Sequence, residues 1–73
     1  MMSDYSRFGV VVGILHRRNA RWILESEKFS GGNIRWIEDK GWFESSFMVC
    51  GNTNDVKAVK SRIDEYIKTV EAE

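Results

Sequence analysis

Seven side chains in this sequence combine positive charge with flat aromatic rings: Arg17, Arg18, Arg21, Trp22, Arg35, Trp36 and Trp42. Guanidinium groups reach phosphates or carboxylates, and indole rings stack on bases or fill apolar pockets. Such a set suits a contact surface, for a protein partner or for single-stranded nucleic acid. Arg21-Trp22 and Arg35-Trp36 fall in runs that read as adjacent strands, which would place them side by side on a sheet. No RNP-like motif surrounds them. The blander arrangement buries the tryptophans and lays the arginine stems along the rim.

Residues for catalysis are scarce. His16 is the only histidine and Cys50 the only cysteine. A nucleophile needs a positioned base, and nothing in their spacing brings these two together. His16 reads as an exposed residue beside a turn, and Cys50 as the end of a buried strand. Glu25, Glu27, Glu38, Asp39 and Glu44 could converge as acid and base or on Mg²⁺. They alternate with Lys28, Arg35 and Lys40, the pattern of a solvated sheet face. Ser30-Gly31-Gly32-Asn33 lacks the Lys and Ser/Thr of a phosphate-binding loop. The expectation is no catalytic residue, no metal and no small-molecule cofactor.

Composition narrows the class. Seventy-three residues make a single domain, and one unpaired cysteine excludes an internal disulfide. A chain of this size buries only ~60% of its unfolded surface, so three Trp, four Phe and two Tyr must supply much of the core. The formal net charge is zero, which argues against a dedicated duplex-DNA binder. The basic residues Arg7, Arg17, Arg18, Arg21, Lys28 and Arg35 nonetheless crowd the first half, with only Glu25 and Glu27 among them. The apolar stretch 8–15 is too short to span a bilayer and lacks the flanks of a signal peptide. A cytoplasmic protein with no membrane contact is expected.

The elements that would position these groups read as follows. Residues 1–6 are polar and expected to fray. Residues 8–15 (FGVVVGIL) form a strand, HRRNA a turn, and RWILESEKF from Arg21 a second strand. The Gly31-Gly32 pair suits a tight hairpin. NIRWIED and WFESSFMVC are the third and fourth strands, with Gly41 in the turn between them. Thr53, Asn54 and Asp55 offer helix-capping oxygens. Val56, Val59, Ile63, Tyr66, Ile67 and Val70 then make one apolar stripe on a helix over about 55–70. Asp64 and Lys68 are spaced to pair on its surface. The predicted fold is a small α+β domain, a four-stranded antiparallel meander packed on one face by a single C-terminal helix, or three strands if the first two merge or fray.

That arrangement leaves a mismatch. One helix covers one face, yet every strand carries large apolar side chains on both. The uncovered face would be lined by the Trp/Arg set. The tail FMVCGNTNDVKAVKSRIDEYIK resembles the closing strand and helix of K-homology RNA-binding domains, over less than a third of the chain. The G-x-x-G loop between two helices, which grips the nucleic-acid backbone in that family, is absent, so no binding residue is implied. The function expected is a non-enzymatic interaction protein that binds a protein partner, or a second copy of itself as a homodimer. Tiny, neutral, motif-free chains of this type resemble phage- or mobile-element-encoded regulators, such as inhibitors of a host polymerase or nuclease. A single-stranded nucleic-acid binder using the same face is the alternative.

Overall fold

The computed structural model describes residues 4–71. Its elements are β1 (Tyr5–Gly13), α1 (Arg17–Phe29), β2 (Ile34–Lys40), β3 (Glu44–Asn52) and α2 (Thr53–Glu71). The three strands form one antiparallel sheet in the order β1-β3-β2. β1 and β2 are therefore parallel, with β3 inserted between them, a split β-α-β arrangement. The fold is α+β as expected, but it is neither four-stranded nor a meander.

The difference lies in residues 17–29. Ala20, Ile23 and Leu24 are spaced by three and four and are all buried, which is a helical stripe. Arg, Ala, Leu, Glu and Lys dominate the segment and favour helix over strand. Gly31 and Gly32 then close the helix and do not turn a hairpin. The Gly31 amide donates to Lys28 O (3.1 Å) and the Gly32 amide to Glu27 O (2.9 Å), with Gly31 at φ +95°. This bond pair is a Schellman termination.

The sheet begins earlier than expected. Tyr5 and Ser6, inside the stretch expected to fray, belong to β1. Residues 1–3 of that stretch lie outside the described residues. β1 is fastened at this end, where the Thr53 amide donates to Asp4 O (2.7 Å) and the Ser6 and Thr53 hydroxyls meet at 2.8 Å. α2 starts at Thr53, and its capping oxygen comes from Asn52, whose Oδ1 accepts from the Asn54 amide (3.0 Å). Asp55 is used differently: its Oδ2 accepts from the Asn33 amide (2.9 Å), tying the start of β2 to α2. Asp64 meets Lys60 (3.6 Å), one turn before, where the spacing had suggested Lys68.

Both helices pack on the same face of the sheet. Val12, Ile34, Phe47 and Val49 from the strands meet Ala20, Ile23 and Leu24 of α1 and Val56, Val59 and Ile63 of α2. The helices are also joined to each other. The Tyr66 hydroxyl accepts from Asn19 Nδ2 (2.6 Å) and lies 3.0 Å from His16 Nδ1. His16 is thus half-buried and held, not a free turn residue. No helix among the described residues is long and apolar enough to cross a membrane.

Candidate functional site: an apolar loop end

The seven Trp/Arg residues do not form one sheet face. Arg17, Arg18, Arg21 and Trp22 ride on α1, Arg35 lies on the open face of β2, and Trp42 sits in the turn between β2 and β3. Trp36 points to the helix side, half-buried, with its ring 5.8 Å from that of Phe47. Arg21 is occupied: its Nε (3.1 Å) and Nη2 (2.9 Å) both reach Glu38 Oε1. The other carboxylate oxygen of Glu38 accepts from the buried Ser45 hydroxyl (3.0 Å). This network clamps α1 to the sheet.

The structure brings a different set together. At one end of the sheet, the loop after β1 and the turn after β2 lie side by side, joined where the Ile14 amide donates to Phe43 O (3.0 Å). Their side chains are apolar and outside: Ile14 is 43% exposed, Leu15 85%, Trp42 90% and Phe43 85%. Arg17 and Arg18 follow directly, opening α1 at this same end. Of the expected set, then, Arg17, Arg18 and Trp42 share one end of the molecule.

Two local features make this end unusual. The Gly41 amide donates to Glu44 O (2.7 Å), so Trp42 and Phe43 occupy the two tip positions of a hairpin. Neither residue takes the positive φ that reserves primed hairpin turns for Asn, Asp or Gly, but turn positions in general are dominated by Gly, Pro, Asn, Asp and Ser. Neither ring is used by the fold. The first turn of α1 contains no acidic residue, and its two arginines oppose the helix dipole, at ~0.3–1 kcal/mol per well-placed charge. Sequence reading missed the tip because WFESSFMVC looks like a continuous strand. The adjacent Lys40-Gly41 was the available signal that the turn extends to Phe43.

The open face of the sheet carries a second group. Arg7, Cys50 and Arg35 lie in one cross-strand row, and Gly9, Met48 and Ile37 in the next. Tyr5, Val11, Ile37 and Met48 are each more than half exposed. The Tyr5 hydroxyl hydrogen-bonds to Cys50, which raises its pKa above the ordinary phenol value, while the charges of Arg7 and Arg35 pull it down.

Carboxylates and thiol are dispersed. Glu25 and Glu27 are on α1, Glu38 faces Arg21, and Asp39 is on the open face. Among the described residues, no three His, Cys, Asp or Glu side chains are grouped so as to hold a metal ion. Cys50 lies near one end of β3 and His16 beyond the other, ~20 Å apart at strand rise. The tail that resembles a K-homology closing strand and helix does run from strand to helix. Only one helix separates β1 from β2, so the helix pair flanking a G-x-x-G loop has no counterpart. Comparison with protein-family models, curated proteins and solved structures finds no match to this chain.

Proposed function

We propose that this is a non-enzymatic interaction module that binds a protein partner through its apolar loop end. The observation that carries the reading is the tip itself: four large apolar side chains, on two hydrogen-bonded loops, exposed to water where polar turn residues are favoured. Arg17 and Arg18 beside it suit a partner with an apolar pocket rimmed by acidic groups. Aromatic residues and arginine are the residue types that dominate interface energetics.

The test is site-specific photo-crosslinking in the native cell. A crosslinking residue at position 42 captures one partner, whereas the same residue at Asn54, at the far end of the molecule, does not. With that partner purified, Trp42→Ala combined with Phe43→Ala lowers affinity by about 30-fold or more, the loss of one interface hot spot. Equal capture from both positions, or unchanged affinity, removes the tip as the binding surface.

A second reading has its own observation. Tyr5, Arg7 and Arg35 share the open sheet face, and one ring with two guanidinium groups can hold a short stretch of single-stranded nucleic acid. Binding to mixed oligonucleotides would then weaken steeply with salt, and Arg7→Ala or Arg35→Ala would each lower the log-log slope by roughly 0.7. Absence of binding at low salt ends this reading.

A further inference from the structure

β1 is an edge strand whose free side can be derived from its hydrogen bonds. In an antiparallel pair, opposed residues alternate between exchanging both backbone bonds and exchanging none. Ile14 is bonded to Phe43 and Asp4 to Thr53, each one step beyond the β1–β3 register. Even-numbered positions of β1 therefore turn their backbone groups to β3. Tyr5, Arg7, Gly9, Val11 and Gly13 turn theirs outward, with their side chains on the open face.

The two edges of the sheet differ. β2 is seven residues long and carries Arg35, Glu38, Asp39 and Lys40, charges that discourage further pairing. β1 is nine residues long, pairs without a bulge from Tyr5 to Gly13, has no proline, and holds a single charge, Arg7. The helix side of this edge is also open. Phe8 and Val10 are only half-buried, as are Ile67 and Val70 of α2. A groove of about 300 Å³ runs there, lined by Val11, Val12, Gly13, His16, Ile67 and Val70.

We propose that β1 pairs antiparallel with β1 of a second copy, about a two-fold axis through Gly9, giving one six-stranded sheet. Tyr5 then opposes Gly13 of the other copy, Arg7 opposes Val11, and Gly9 opposes Gly9. Every outward backbone group of both strands is used, in about ten hydrogen bonds. Odd positions meet odd positions, so the helices of both copies stay on one side and Phe8 and Val10 gain cover. A shift of two residues leaves ends unpaired, and the register that opposes Arg7 to Arg7 sets like charges face to face. In this register the one charge of the strand, Arg7, meets the uncharged Val11 and all nine residues of each strand are spanned, so neither like charges nor unpaired ends oppose a second copy as the occupant. The inference is independent of the loop-end reading, and the dimer would present its two apolar ends in opposite directions.

Sedimentation of the full chain over a range of concentrations should show a species of twice 8.5 kDa. Val11→Pro removes an outward N–H without touching the β3 ladder, as edge prolines do, and should yield a folded monomer. Gly9→Cys in a Cys50→Ser background should be joined between copies by a short dithiol-reactive crosslinker, since a bonded cross-strand pair sets its two Cβ atoms ~5.5 Å apart, just beyond direct disulfide reach. A Cβ at position 9 meets nothing closer than Met48 Cε at 3.6 Å. Val11→Cys in the same background should not crosslink, its symmetry mate lying ~13 Å away. If Val11→Pro does not fold, the cysteine pair decides alone. A chain that stays monomeric at every concentration, or a dimer in which Gly9→Cys fails to crosslink, overturns the proposal.

Discussion

Gly51 shows how strictly one residue can be specified. It has φ +148°, and an added Cβ would lie 2.1 Å from Asn33 O and 2.8 Å from Ile34 Cα. Backbone blocks it, so no side chain can yield. Gly51→Ala should cost more than ~2 kcal/mol, as strain and a displaced β2 combine, and urea unfolding checks it. Glu38 makes the complementary case of a charge held by partners. Its side chain is 7% exposed and depends on Arg21 and Ser45. Arg21→Ala leaves that carboxylate short of a partner and should cost ~2 kcal/mol, scaled down because Arg21 itself is 39% exposed. Arg21→Lys restores the charge without the two-pronged geometry and should recover only part. An Arg21→Ala variant as stable as the parent would mean that the pair contributes nothing to holding α1.

At the scale of elements, legibility followed how many signals agreed. α2 combined capping residues with an uninterrupted apolar stripe, and the helix is there. The core of β3 alternates cleanly, with Ser45, Phe47 and Val49 in and Met48 out, the period-two pattern of a strand with one covered face. α1 failed because RWILESEKF supports both periods over a short window, and the following Gly-Gly is punctuation common to hairpins and helix ends. The deciding residue, Ala20, ends HRRNA, a segment whose asparagine and charges equally suit a turn. Physically, the arbiter is Gly31, which ends α1 in a left-handed conformation with nothing within 4 Å of an added Cβ. Gly31→Ala should therefore cost ~1 kcal/mol through backbone conformation alone, with no clash. Hydrogen exchange should show the loss concentrated in the last turn of α1. A uniform loss over the whole chain would place the effect elsewhere.

For the whole molecule, the expected mismatch between sheet faces is real, although two helices share one face. Ile37, Met48, Val11 and Tyr5 remain on the other. The functional emphasis nevertheless moves to the loop end, because the tryptophans are distributed by depth and not by face. Trp42 is 90% exposed and Trp22 66%, while Trp36 packs against Phe47. Which indoles are inside was beyond sequence reading, since a turn that extends two residues further than a strand pattern suggests removes Trp42 from the sheet entirely. This ordering has a direct optical consequence. In the isolated protein, iodide should quench most of the Trp42 and Trp22 emission and little of the Trp36 emission. Trp42→Phe together with Trp22→Phe should leave a blue-shifted, poorly quenched signal from Trp36, with stability changed by no more than ~0.5 kcal/mol, because neither ring supports the core. Should the double variant remain strongly quenched, Trp36 is outside and the partition between core and loop end fails. Should Trp42 be protected in the parent at high concentration only, the loop end is itself a contact between copies, and the edge pairing of β1 would have to account for that protection or give way to it.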